Sequence, residues 1–118
     1  MAPASNKVVT DGIRGPSLAI VRGPERGTIF PLVLDETLIG RVDSSHIELD
    51  DPAVSRLHAR VERRTDGFYL VDLGSATGTV LNGRPVAQPV LLRDGDEIAI
   101  GPVAFVFVLS PAPRSEAA

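Results

Sequence analysis

The 118-residue chain contains no cysteine, which excludes a disulfide framework and a thiolate metal site and fits a reducing compartment. It also lacks an excess of basic residues: 12 Lys and Arg stand against 15 Asp and Glu, for a net charge of −3. A nucleic-acid surface needs a basic stripe, so no nucleic-acid contact is expected. No apolar run approaches the roughly 18 residues of a membrane span. The longest, VAFVFVL at 103–109, has strand length. The opening residues MAPASNKVVTDG lack the basic-then-apolar pattern of a secretory signal. No stretch carries a clean helical period with caps. The expectation is a soluble cytoplasmic domain with no membrane contact.

What is present suits one domain rich in turns. The chain is 43% apolar and 23% charged, with 11 Gly and 10 Pro. Residues 1–16 and 110–118 are small, polar and Gly/Pro-punctuated, and read as tails or linkers around a folded part at 17–109. Within it, short segments of strand character follow one another: SLAIVR (17–22), TIFPL (28–32), TLIGR (37–41), IEL (47–49), HARVERR (58–64), FYLVDL (68–73), VLL (90–92), EIAIG (97–101) and VAFVFVL. In HARVERR, Ala59 and Val61 share one face and Arg60 and Glu62 the other. Turn chemistry separates the segments: RGPERG (22–27), Asp66-Gly67, Asn82-Gly83 inside TVLNGRPV (79–86), and RDGD (93–96). About ten or eleven short strands at this spacing predict an all-β sandwich of two antiparallel sheets with Greek-key connections. Function then belongs to the loops where strands end, at 40–46, 51–58 and 73–79.

Several chemistries compete for DPAVSRLHARV (51–61). Ser55 and His58 form a close Ser/His pair, but three residues apart in an extended chain they point to opposite sides. No nucleophile elbow exists, because GSATG (74–78) has Ser second and not third. His46 and His58 are the only histidines, and the carboxylates of DSSHIELDD (43–51) match no zinc or calcium spacing, so that segment reads as a solvated acidic loop. Gly78 and Gly83 are followed by Arg84-Pro85 where a P-loop needs Lys-Ser/Thr, and they read as turn glycines. Arg41 follows Gly40 at a strand end and Arg56 adjoins Ser55. Two guanidinium forks and a hydroxyl from two loops could converge on a tetrahedral dianion. From spacing alone, scattered and solvated surface arginines remain the open alternative.

Four segments taken together, LIGR (38–41), IELDDPAVSRLHARV (47–61), FYLVDLGSATGTVLNG (68–83) and LLRDGDEIAIG (91–101), resemble the forkhead-associated (FHA) domain family in order and spacing. The resemblance spans the whole of 17–109. It implies an FHA-type β-sandwich of about eleven mostly antiparallel strands in two sheets. It also implies a phosphothreonine-peptide recognition module in signalling, with no catalytic residue, no metal and no cofactor. Position by position, Arg41 matches the arginine that grips the phosphate, Ser55 the serine that bonds it, and Arg56 the adjacent helper. His58 matches a histidine that braces the binding loops, with Gly40 and Gly78 as structural support. The implied partner is a phosphothreonine-containing protein or peptide, with a Ser/Thr kinase or its substrate as candidates. Thr10, in the first tail, reads as a solvated residue, with phosphorylation as the alternative.

The third loop departs from the family pattern Ser-x-Asn-Gly-Thr. This chain has Ser75-Ala76-Thr77-Gly78-Thr79, so Ser75, Ala76 and Thr77 are the expected peptide-contacting residues, and Thr77 stands where the family carries an asparagine that holds the peptide backbone. A hydroxyl on a β-branched stem replaces a planar amide. The alternative function is therefore an FHA domain that serves as a phospho-independent interaction or dimerisation scaffold.

Overall fold

Alternation of apolar and polar residues decides which face of each strand turns inward, and here it builds two sheets around one core. The computed structural model describes residues 15–109. Nearly all of both expected tails, and Thr10 with them, lie outside the described residues. Eleven strands follow in chain order: β1 (Ser17–Arg22), β2 (Ile29–Pro31), β3 (Glu36–Gly40), β4 (Ile47–Glu48), β5 (Ala59–Arg64), β6 (Gly67–Asp72), β7 (Thr79–Leu81), β8 (Arg84–Pro85), β9 (Val90–Leu91), β10 (Glu97–Ile100) and β11 (Val103–Val108). The first sheet has the order β2-β1-β11-β10-β7-β8 and the second β4-β3-β5-β6-β9. The all-β sandwich expected from the sequence is the observed fold. Every pairing among the described residues is antiparallel except β3 with β4, which run parallel.

The core lies between the sheets. Leu18 and Ile20 of β1, Ile98 and Ile100 of β10, and Phe105 and Phe107 of β11 face Ile39, Val61 and Leu70 of the second sheet, all buried. Phe68 and Phe107 bring the sheets together in a tilted aromatic contact with ring centroids 5.8 Å apart. Each such side chain contributes roughly 1.5–3 kcal/mol through removal from water. Ala59 and Val61 point into this core and Arg60 and Glu62 away from it, as the pattern of β5 requires.

Two local corrections concern strand ends. Asp66-Gly67 reads as the hairpin turn from sequence, yet Gly67 pairs with Arg64, so the two turn residues are Thr65 and Asp66. Gly67, at φ 143°, is already the first residue of β6, and a Cβ there would stand 2.9 Å from a Leu91 methyl. β3 stops at Gly40, one residue short of the expected Arg41, and β5 begins at Ala59, one residue past His58. Arg41 thereby enters the loop, while His58 keeps ladder-type backbone bonds to Ile39 and Leu73 just ahead of β5.

The parallel β3–β4 pair explains where the loops gather. Ile39 pairs with Ile47 and Gly40 with Glu48, so residues 41–46 leave the end of β3 and return to run beside it in the same direction. Both this loop and the one after β4 therefore open at the same end of the sandwich. Since β5 and β6 are antiparallel, the β6–β7 loop joins them there.

The opposite end is closed by the Asn82-Gly83 hairpin, with φ of 50° and 84° at the two residues. Asn82 donates its amide to Asp96 Oδ1 at 2.9 Å and accepts the Glu97 N–H at 2.9 Å. Asn82→Ala removes both bonds and a side chain that tolerates the left-handed region. It is expected to lower the unfolding free energy, measured in urea, by about 2 kcal/mol.

Candidate functional site

Glycine at position 40 permits two loops to touch. A Cβ there would lie 2.1 Å from the Arg56 carbonyl oxygen, well inside any allowed contact. Without it, the Arg41 N–H reaches the carbonyls of Ser55 and Arg56, at 3.1 Å each. The Arg41 side chain turns the same way: Nε donates to the Val54 carbonyl at 2.9 Å. That bond orients the guanidinium fork against the residue preceding Ser55, and Arg41 as a whole is exposed. Val54 is buried in the core beside Gly101, so the carbonyl that holds Arg41 sits on an anchored segment.

His58 joins the next pair of loops. It is fully buried, and every polar group it owns is used. Its N–H donates to Ile39 O at 2.9 Å and its carbonyl accepts from the Leu73 N–H at 2.9 Å. Its Nδ1 accepts the Ser55 N–H at 3.0 Å, and Nε2 lies 2.8 Å from the Gly78 carbonyl. A backbone N–H on one side and a carbonyl on the other select the neutral tautomer with hydrogen on Nε2. The geometry also resolves the Ser55/His58 question: the turn brings them together, but through the serine backbone N–H and not through its hydroxyl.

That hydroxyl faces the third loop. Ser55 Oγ accepts the Ala76 N–H at 2.9 Å, so its own proton is free to be donated elsewhere. Thr77 reaches back across the same gap and donates Oγ1–H to the Ala53 carbonyl at 2.8 Å. Ser75 turns inward, donating to Asp72 Oδ1 at 2.6 Å and accepting the Gly78 N–H at 3.0 Å. Arg41, Ser55, Arg56, Ala76 and Thr77 therefore share one end of the molecule, with His58, Gly40, Gly78 and Ser75 beneath them.

Asp72 is the residue that reading the sequence missed. Its carboxylate accepts four hydrogen bonds: Ser75 and Thr79 hydroxyls on Oδ1, and Gly74 and Ser75 N–H groups on Oδ2. Burial pushes its pKa upward, but those hydrogen bonds outweigh it and hold the group below the ordinary carboxylate value. The signal was available, since Asp followed by Gly and Ser two and three residues later is an Asx-turn pattern.

The end of the sandwich carrying these loops presents donors beside the carboxylates of Asp43, Asp50 and Asp51, while Asp72 is occupied by its own loop. Among the described residues, ion pairs engage Arg22, Arg60 and Arg64, and leave exposed Arg41 and Arg56 without a carboxylate. Two free guanidinium groups and a serine proton favour an anionic, acceptor-only ligand. His46, the other histidine, stands apart: its Nδ1 accepts the Leu38 N–H at 2.8 Å on the edge of the second sheet.

Comparison with known proteins places this geometry. A family model described as the FHA domain matches residues 37–101. The chain is 41% identical over 110 residues to an oxoglutarate dehydrogenase inhibitor of Corynebacterium diphtheriae, covering 93% of this chain and 76% of that protein. It is 40% identical over 115 residues to the glycogen accumulation regulator GarA of Mycolicibacterium smegmatis, covering 93% and 72% respectively. Among solved structures, Mycobacterium tuberculosis EmbR in complex with a low-affinity phosphopeptide superposes with a TM-score of 0.77 at 27% identity, over 94% of this chain and 28% of that one. A structure from a study of phosphothreonine-dependent FHA domain interactions superposes with a TM-score of 0.74 at 30% identity, over 83% and 99%.

Two outcomes test the scaffold of the site. Gly40→Ala is expected to cost about 2 kcal/mol or more in urea unfolding, because backbone and not a flexible side chain must give way. For Asp72, the folded pKa is depressed, so its stabilisation is present above the unfolded value and lost as pH falls through the folded one. Asp72→Asn should therefore be less stable than wild type at neutral pH. The gap should begin to narrow at about pH 4 and close only as pH falls through the lower folded value, read from thermal midpoints across an acid series.

Proposed function

The chain belongs to the FHA domain family, and on that premise we propose that it binds phosphothreonine-containing segments of partner proteins and so couples protein association to Ser/Thr phosphorylation. Arg41 and Ser55 are the proposed phosphate ligands, with Arg56 beside them. The observation that carries this reading is the pairing of a guanidinium pinned on Val54 O with a Ser55 hydroxyl whose acceptor side is filled by Ala76. Both groups present donors to the same end of the molecule, and a phosphate monoester at neutral pH is acceptor-rich and carries a charge of about −1.5 to −2.

The proposed activity is recognition and not catalysis. A nucleophilic serine needs a base to take its proton. The imidazole nearest Ser55 is His58, whose Nδ1 is occupied by the Ser55 N–H and whose Nε2 faces the Gly78 carbonyl. Neither nitrogen is available to a hydroxyl. The proposed partner is a product of a Ser/Thr kinase, or the kinase itself when phosphorylated, and the proposed location is the cytoplasm. The regulator and inhibitor names of the relatives are in keeping with a module that acts by binding.

Titration with a phosphothreonine peptide library tests this directly. Saturable binding is expected, with a loss of tenfold or more in Arg41→Ala and in Ser55→Ala, since each removed charge-assisted bond is worth roughly 1.5–3 kcal/mol. Equal affinity for phosphorylated and unphosphorylated peptides would overturn the reading in favour of the phospho-independent scaffold.

A further inference from the structure

The outer faces of the two sheets differ in chemistry. On the second sheet, Arg60 pairs with Glu36 and Glu62, and Arg64 pairs with Glu62 and stacks over the Tyr69 ring at 4.2 Å. A face of that kind is at home in water. On the first sheet, Ser17, Ala19, Ala104, Val106 and Val108 alternate with the core residues of β1 and β11, so they face away from the core. The face they make is small and apolar. The charges beside it, Arg22 and Glu97, pair with each other at 3.6 Å.

These outward side chains are nonetheless buried. Ser17, Ala19 and Ala104 have no exposed surface, and Val108 has 8%. Ala19, Ala104 and Val108 are not part of the cluster between the sheets. The second sheet lies on the other side of β1 and β11 and does not cover them. The Ser17 hydroxyl is also buried, with no hydrogen-bond partner among the described residues. A buried hydroxyl needs a partner, and one that faces away from the core must find it in whatever covers the sheet. Neither feature belongs to a face open to water.

The burial is complete within a single chain, which selects a segment of that chain over a second copy. Residues 1–14 and 110–118 lie outside the described ones, and both join the sandwich at this face, where Ser17 pairs with Val108. Residues 110–118, SPAPRSEAA, carry no aliphatic side chain larger than alanine apart from proline. Residues 8–13, VVTDGI, carry Val8, Val9 and Ile13. Gly15, at φ 83° just ahead of β1, lets the chain reverse there. Six extended residues reach about 20 Å, which is the length of the six-residue β1. We propose that residues 8–13 dock on the outer face of the first sheet, their apolar side chains covering Ala19, Ala104 and Val106 and a backbone group pairing with the Ser17 hydroxyl. The folded unit then begins before the expected residue 17.

The absence of cysteine makes the test direct, because Lys7→Cys gives the full chain a single site for a nitroxide label. In the nitrogen-15-labelled protein, the nitroxide is expected to broaden the amides of Ala99 and Ala104, which are paired at the far end of this face from Ser17. Adding Val9→Asp and Ile13→Asp should confine the broadening to the chain entry around Pro16 and Leu32. Without the label, the same two aspartates should raise the unfolding equilibrium constant in urea by about tenfold or more, the effect of losing one buried Val or Ile side chain. Substitutions in a merely solvated tail would change it by no more than about twofold. A change that small, or broadening that never reaches Ala99 and Ala104, would overturn the proposal. So would broadening that appears when nitroxide-bearing protein without nitrogen-15 is mixed with unlabelled-cysteine-free nitrogen-15 protein, since that places a second copy on the face.

Discussion

The loop end of this domain depends on a buried imidazole. His58 uses its backbone to continue the ladder between β3 and β6, and its two ring nitrogens to hold Ser55 in one loop and Gly78 in another. Four hydrogen bonds converge on one residue that has no exposed surface. An unpaired ring nitrogen there would cost about 1–3 kcal/mol, so the loops and the histidine hold one another in place. A buttress of this kind lets the exposed residues above it be small and polar without becoming mobile ligands, since their backbone positions are settled from beneath.

Around that centre the remaining contacts divide into three tasks. Gly40 allows the first two loops to approach, and Asp72 ties down the third by accepting from two hydroxyls and two amides. Val54 inserts the second loop into the core. With those tasks assigned to buried groups, the outward ones are left with defined residual capacity: donors on Arg41, Arg56 and Ser55, an acceptor on Thr77.

Much of this was legible in the chain. The strands over 17–22, 97–100 and 103–108 and the Asn82-Gly83 hairpin could be read from alternation and turn chemistry, because both are local properties. The register of the β5–β6 hairpin was less legible. Asp66-Gly67 has the composition of a turn, yet Gly67 belongs to the strand, where contact with Leu91 of a distant strand leaves no room for a larger residue. Gly40, Arg41, Ser55, Arg56 and His58 stood out by type and by family resemblance. Asp72 did not, although its spacing to Gly74 and Ser75 carried the pattern, because an aspartate before a glycine is ordinary in any loop.

The sequence by itself determined the all-β class, the Asn82-Gly83 turn and the family, since period-two alternation and residues suited to positive φ act within a few positions of each other. It also placed the arginines and the serine where strands end. Only the tertiary structure decided that these loops meet, through the parallel β3–β4 pair and the close approach at Gly40. It alone decided which hydroxyl gives a proton and which accepts one. Ser55 and Thr77 carry the same functional group, and no local rule distinguishes them. Their polarity is set by partners 21 and 24 residues away, an Ala76 amide and an Ala53 carbonyl, that folding brings within 3 Å.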